Sequence, residues 1–401
     1  MVAMDHPAVS DLKVEYRGDA AKLFPLALGT GMLGLVTLGI YRFWGKARIR
    51  RHVWSKLRVG DDAMEFTGTG LEMFLGFLMA VVVLAVYLAV VQLILFSVGI
   101  RFVFDPQSEM EEIAQGISIA LSFLAVLPLM IFAAYRSRRY KLARTRFRGI
   151  RFAMDNAAGG YVIRALGYLV LTVLTLGLLW PLMTFRLEAY MTDRTWYGGA
   201  RFRQGGKWTG LYRAYFHVIV GMGMIVAAGV FGALGEDWMS GLLGVLGAIW
   251  GLVGLVIYRV RAFGYLMAHK EMEGGLGFRA EPRAGSVVWL YIKGVLIVGL
   301  LGGVASAVIF APLGAMMIGI EEASELVQLE FAALGVVLYL VLLTAFGALS
   351  LVFISQPILA HFVDSVTVTG VQALDAVRQR VADGGADAEG LADALDIGGA
   401  F

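Results

Sequence analysis

The string closest to metal-dependent hydrolysis is His269-Lys270-Glu271-Met272-Glu273. Zinc proteases of that kind set two histidines four residues apart on one helical face, with a glutamate between them as general base. Position 273 is a glutamate, so the second ligand is missing. His6, His52, His217 and His361 are scattered, which suits interfacial or packed histidines better than a metal centre. Phosphate chemistry fares no better. Gly205-Gly206-Lys207-Trp208 lacks the Ser or Thr that would meet a magnesium ion, and Gly29-x-Gly31-x-x-Gly34 lies inside an apolar run with no strand before it. No G-x-S-x-G nucleophile elbow occurs. Cysteine is absent, and with it any thiolate nucleophile, disulfide or Cys-ligated metal. The expectation is a protein that is not an enzyme and carries no cofactor.

The elements that would position any chemistry are those of a membrane protein. Of 401 residues, 59% are hydrophobic before the 51 glycines are counted, and 16% are charged. Soluble domains run at about 45–50% apolar with glycine included and about 25% charged. Mean hydropathy is +0.74, which excludes a soluble enzyme. Residues 1–21 are polar and mixed in charge, and no apolar core follows a basic start, so no signal peptide is expected there. Eight apolar stretches follow, at 23–41, 71–98, 113–134, 161–183, 214–234, 239–257, 288–313 and 331–355. Most reach the roughly 20 residues a helix needs to cross the hydrocarbon of a bilayer.

Charge position sets the topology, because Lys and Arg resist translocation. Segments 42–58 and 136–151 are rich in Lys and Arg and contain no acid, and 186–213 and 259–283 are basic but mixed. The remaining connectors are acidic: Asp105, Glu109, Glu111 and Glu112; Glu236 and Asp237; Glu321, Glu322, Glu325 and Glu330. Eight simple crossings would put basic connectors on both faces. The conflict resolves if stretches one and four enter the membrane and return, or lie partly inserted, while the other six form three hairpins with acidic outer turns. Intramembrane charge, the usual mark of ion-coupled transport, is scarce. Arg164 and Lys293 lie near stretch ends and can snorkel, and Gln92 and His217 are the deeper polar candidates.

Internal echoes support that grouping. Thr37-Leu38-Gly39-Ile40 recurs as Thr175-Leu176-Gly177-Leu178, and Arg144–Phe152 matches Arg194–Phe202 as R-T-x-aromatic-x-G-x-R-F. A weaker copy ends in Gly275-Leu276-Gly277-Phe278. The unit is an apolar helix, a basic amphipathic run and a short alternating strand-like segment closed by glycine. Thr37–Trp44, the basic run through Arg51, Phe66-Thr67-Gly68 and the R-T-x-aromatic-x-G-x-R-F units resemble the signature of the YjgN-like bacterial inner-membrane proteins, over residues 14 to 370. The resemblance implies a polytopic inner-membrane protein of a family without an assigned function, and supplies no catalytic residues. Members are sometimes encoded near a membrane-bound metalloprotease, which suggests a partner.

Glycine spacing marks helix contacts. Gly244, Gly247, Gly251 and Gly254 line one face of stretch six, and Gly299 and Gly303 form a G-x-x-x-G pair in stretch seven. Such faces let backbones approach in lipid, within the chain or between copies, and leucine at Gly251 would test the contact. The basic connectors, through Arg48, Arg50, Arg51, Arg138, Arg139, Arg144, Arg151, Arg194 and Arg201, are topogenic or bind anionic lipid head groups. Nucleic acid is not expected, because those charges are committed to the membrane surface. Residues 371–381 can form a short amphipathic helix. The acidic tail beyond it is either solvated or, through Leu391, Leu395 and Phe401, a docking element for a partner.

The sequence thus predicts an all-α, internally duplicated polytopic protein with six to eight transmembrane segments. Three spanning hairpins plus two re-entrant or partly inserted segments, with short strand-like cytoplasmic segments, are preferred. Its parts are a cytoplasmic segment 1–22, membrane repeats at 23–160 and 161–285, a partial repeat at 286–370, and a cytoplasmic helix and tail at 371–401. Both termini are expected in the cytoplasm. The expected partners are the phospholipid bilayer, anionic lipid above all, and a membrane-protein partner or a second copy. The leading function is a non-enzymatic interaction or scaffold protein; the alternative is a facilitator or lipid-handling transporter with a cavity between the pseudo-repeats.

Overall fold

The computed structural model describes residues 11–100, 108–319 and 324–380. Asp105, Glu321, Glu322 and the tail residues Leu391, Leu395 and Phe401 lie outside the described residues. Within them the chain runs strand, helix, helix, strand five times over. The first pass is β1 (Leu12–Tyr16), α1 (Ala20–Val36), α2 (Arg42–Trp54) and β2 (Leu57–Val59). The second is β3 (Asp62–Phe66), α3 (Gly70–Ser97), α4 (Glu109–Ala143) and β4 (Thr145–Phe147). The third is β5 (Ile150–Met154), α5 (Ala158–Leu174), α6 (Trp180–Thr192) and β6 (Thr195–Tyr197). The fourth is β7 (Ala200–Gln204), a 3-10 turn (Trp208–Leu211), α7 (Tyr212–Ala233), α8 (Asp237–Ala268) and β8 (Lys270–Met272). The fifth is β9 (Leu276–Ala280), α9 (Ala284–Gly319), α10 (Glu325–Ser350), a π-helical turn (Leu351–Ser355), α11 (Gln356–Asp364) and β10 (Val366–Thr369), followed by α12 (Gln372–Ala376).

Among the described residues, six helical runs are long and apolar enough to cross a membrane: α3, α4, α7 with its 3-10 turn, α8, α9, and α10 continued through α11. Their exposed faces carry leucine, valine and isoleucine along most of their length, as lipid-facing helices must. This is a membrane protein. The apolar stretches at 23–41 and 161–183 fold instead as α1 and α5, each of 17 residues. At 1.5 Å per residue each is about 25 Å long.

The same turn ends both short helices. The Gly39 N–H donates to the Gly34 carbonyl at 2.7 Å and the Leu38 N–H to Leu35 at 3.1 Å. Gly177 donates to Thr172 at 2.7 Å and Leu176 to Val173 at 3.0 Å. This is the paired hydrogen-bond pattern of a left-handed helix stop. The threonine of each T-L-G string spans the turn: Thr37 Oγ1 donates to the Leu33 carbonyl at 2.8 Å and accepts from the Tyr41 N–H at 2.9 Å. Thr175 does the same with Leu171 and Leu179. Leucine itself takes the left-handed backbone, with φ +50 at Leu38 and +49 at Leu176.

The chain packs as two compact units, Met1–Glu65 with Gly205–Ala376, and Phe66–Gln204 with Val377–Phe401. In the first, six antiparallel strands run β8-β9-β10-β1-β2-β3. Leu12 lies opposite Val368, and Val14 opposite Val59. Helix α1 packs on α2 and α10, α9 on α10, and α7 on α8. In the second, four antiparallel strands run β4-β5-β6-β7, with Phe152 opposite Tyr197, and α4, α5 and α6 pack in sequence. The alternation of arginine and phenylalanine in the R-T-x-aromatic-x-G-x-R-F units is the period of these strands: Phe147 and Tyr197 are buried while their neighbours are partly exposed.

Candidate functional site

A group of ionisable and aromatic side chains gathers in the second unit, where α4, α5 and α6 meet the strands. Tyr135, Tyr161 and Tyr190 form a triad with ring centroids 5.3–6.3 Å apart. Their tilted and edge-on geometry is the arrangement aromatic quadrupoles favour. The Tyr135 hydroxyl donates to the Asp155 carbonyl at 2.7 Å and that of Tyr190 to Ala157 at 3.0 Å. Arg194 stacks on the Tyr190 ring at 3.6 Å and donates to the Tyr190 carbonyl at 3.0 Å. Arg164 approaches the same ring at 4.9 Å.

The arginines singled out from sequence divide by environment. Arg138 grips Glu188 with both terminal nitrogens, at 2.6 and 2.9 Å. Arg139 is buried and donates to the Met154 carbonyl at 3.0 Å. Arg144 meets Glu72 at 3.0 Å, and Tyr140 donates to the same carboxylate at 3.2 Å. On α2, Arg50 is wholly buried, whereas Arg48 and Arg51 are exposed, with Arg48 5.8 Å from the Tyr41 ring. Arg201 donates to the Asp193 carbonyl at 2.5 Å and lies 5.5 Å from the Trp196 ring. Through its backbone N–H, Arg151 donates to Gln379 at 2.9 Å.

That last contact belongs to a strap. Residues 377–380 lie over the β5–β6 face: the Gly199 N–H donates to the Arg378 carbonyl at 2.9 Å, and Arg380 sits 4.6 Å from the Trp196 ring. Gly198, at φ +54, has the Arg378 carbonyl oxygen 2.5 Å from where a Cβ would be, so a side chain there would push the strap away. Sequence reasoning missed the strap and the tyrosine triad. The signal for the triad was a tyrosine in each of three apolar helices, which reads equally well as interface anchoring.

In the first unit, Gly221, Gly247 and Gly254 bring α7 against α8. A Cβ on Gly221 would lie 2.7 Å from the Gly251 Cα, one on Gly247 2.9 Å from the Met224 Cβ, and one on Gly254 2.9 Å from the His217 carbonyl carbon. The Cβ directions of Gly251, Gly299 and Gly303 are open, and that of Gly244 meets Ala228 only at 3.9 Å. Between α9 and α10, Gly302 lies under the Phe346 ring and Gly335 under Leu313. His217 lies 5.9 Å from the Trp250 ring, an aromatic contact. Near the strands of this unit, burial pushes the Tyr16 hydroxyl above its usual range, opposed by Gln356. Burial, and then the charges of Lys56 and Lys22, hold His52 below the ordinary histidine value.

Polar groups also meet between two spanning helices. Gln92 of α3 donates to Ser122 of α4 at 2.7 Å, in a groove of about 310 Å³ lined by Leu88, Ile119, Phe123 and Val126. The Ser118 hydroxyl, one turn before Ser122, is fully buried without a hydrogen-bond partner. Among the described residues, no three His, Cys, Asp or Glu side chains gather in a metal-binding group.

A family model described as a bacterial protein of unknown function (DUF898) matches residues 11–394, and the chain belongs to that family, into which the YjgN-like resemblance falls. No curated protein and no solved structure matches the chain.

Proposed function

We propose that this DUF898 chain is a non-enzymatic interaction protein of the bacterial inner membrane. Its six spanning helices and two partly inserted hairpins, α1–α2 and α5–α6, hold a basic cytoplasmic layer that binds anionic lipid and a partner protein. A membrane-bound protease is the partner that the family resemblance suggests. Both termini are cytoplasmic, and the five strand–helix–helix–strand passes are products of internal duplication.

The observation that carries this reading is how the gathered charges are used. Arg138, Arg144 and Arg194 are each held by a carboxylate or a ring of the same unit. Groups already saturated inside the protein make a rigid frame, and catalysis or a proton relay would need some of them free and convergent. The strap at 377–380 supports a docking role for the acidic tail, because it fixes the root of that tail on the β5–β6 face.

The test is purification from native membranes in mild detergent, full length and truncated at 381, with mass spectrometry of everything bound. A stoichiometric protein partner that is lost on truncation is the expected outcome. A lone protein carrying one small molecule or one lipid class, unchanged by truncation, would overturn the reading in favour of transport. The Gln92–Ser122 groove is the observation that favours that second reading, a facilitator or lipid-handling protein.

A further inference from the structure

The first unit contains a cavity of about 370 Å³ lined by Gly210, Arg213, Ala214, Arg261 and Tyr265. It lies where α7 begins and α8 nears its end. Two arginines line it, Arg213 and Arg261, both exposed. Neither has an ion pair, hydrogen bond or ring contact among the described residues. Their treatment differs from that of Arg138, Arg144 and Arg194, each of which the protein supplies with a partner. No acid lines the cavity. Two uncompensated cations facing one space repel each other, and an anion between them removes that cost.

The wall is pre-built. The Tyr265 hydroxyl accepts from the Lys207 N–H and donates to the Lys207 carbonyl, both at 2.9 Å, which ties α8 to the 3-10 turn. His269 packs against the Tyr265 ring at a tilt, with centroids 4.3 Å apart. Gly210 permits the close approach, since a Cβ there would lie 2.5 Å from the Tyr265 ring.

Depth identifies the anion. Arg213 is the second residue of α7, and Arg261 follows the apolar part of α8, so both stand at the end of a spanning hairpin, at headgroup level. Trp208 and Tyr212, 5.7 Å apart, mark the same level. About one to three turns deeper, Phe216, Leu252 and Leu255 are exposed apolar side chains on the same two helices. A ligand with a phosphate at its head and acyl chains below it matches this order of surfaces. We propose that Arg213 and Arg261, against the wall that Tyr265 fixes, form a binding site for the phosphate of an anionic phospholipid. The proposal rests on the membrane reading above and is independent of whether a protein partner exists.

The experiment uses the full chain in detergent, with phosphatidylglycerol, cardiolipin or phosphatidylcholine titrated in and the lipid-bound fraction read by native mass spectrometry. The variants are Arg213→Gln, Arg261→Gln and the double variant. Arg283→Gln, at another exposed arginine of the unit, controls for net charge. Because neither cavity arginine has a partner to lose, the variants should unfold at the wild-type temperature. On a scale of about 1 kcal/mol per interfacial arginine, each single change should weaken anionic-lipid binding about fivefold and the double change about thirtyfold. Arg283→Gln should leave it unchanged.

Equal binding of phosphatidylcholine by the wild type would overturn the proposal without using any variant. So would wild-type affinity in the double variant. Displacement of lipid by millimolar inorganic phosphate would reassign the site to a soluble anion. Release of the protein from membranes by alkaline washing alone would overturn the membrane reading itself, and so be distinguished from failure of the site.

Discussion

Leu38 and Leu176 occupy backbone that L-residues avoid, and both are exposed, at 94% and 80%. A leucine in the left-handed region costs roughly 1–2 kcal/mol, and neither side chain recovers that by packing within the protein. Bilayer hydrocarbon is the surrounding that rewards a leucine in this position. Valine and isoleucine flank the first turn at Val36 and Ile40, and leucine flanks the second at Leu174 and Leu178, all exposed. Leu38→Gly should therefore raise stability in detergent by about 0.5–1 kcal/mol, the relief being partly offset by glycine's unfolded-state freedom. Gly39→Ala, at φ +87, should lower it by about as much. Thermal unfolding in one detergent checks both. A loss on Leu38→Gly would mean that the leucine is held by contacts rather than tolerated at a cost. The T-L-G string was visible in the sequence as a repeat, but its cause was not. The threonine bridge and the left-handed leucine are backbone facts, and apolar periodicity carries no trace of them.

Helices show the same division between what spacing reveals and what only packing decides. Eight apolar stretches were legible because length and hydropathy are properties of the chain, and the two that differ declared themselves through charge on both flanks. Which glycines touch a neighbour was not legible. The stripe Gly244, Gly247, Gly251, Gly254 shares one helical face, yet α7 approaches it off centre. Cβ directions at Gly247 and Gly254 run into Met224 and His217, while that at Gly251 is open. Gly247→Leu should wedge α7 from α8 and cost about 1–3 kcal/mol, the range of over-packed cores. Gly251→Leu should cost little, although spacing alone predicts an equal cost. Unfolding of the two variants in parallel separates the cases, and equal losses would show that the helices cross at Gly251. The arginines teach a similar lesson. A run of like charge reads as a solvated surface, but Arg50 and Arg139 are buried, and Arg139 donates to the Met154 carbonyl of β5.

At the scale of the molecule, the basic connectors coincide with the strand hairpins, and that coincidence makes the topology testable. Turns near residues 60, 149, 198 and 274 separate successive strands, and the proposed topology places them all on the cytoplasmic side. A reporter fused at 60 should read as cytoplasmic and one near 108 as external. An external signal at 60 would require α1 to span, which its 17 residues make difficult. The strand-like segments were legible where arginine alternates with aromatic residues, at 145–152 and 195–202. They were missed at 12–16 and 366–369, where no arginine–aromatic alternation marks them and where β1 and β10 pair with each other from opposite ends of the described chain.

That pairing has a consequence for biosynthesis. As the nascent chain leaves the ribosome, β1 gains β2 on one edge almost at once, since Val14 pairs with Val59. Its other edge belongs to β10, and Leu12 must wait for Val368. At about 5–20 residues per second, the interval is roughly 20–70 s, during which every spanning helix is made while one edge of the first strand stays open. A ribosome that stalls or a message that is cut before residue 366 leaves that edge unpaired for good. The order of synthesis therefore builds in a check on length: an interrupted chain can insert its helices, but it presents to the cell's proteases a strand that only the finished chain can cover.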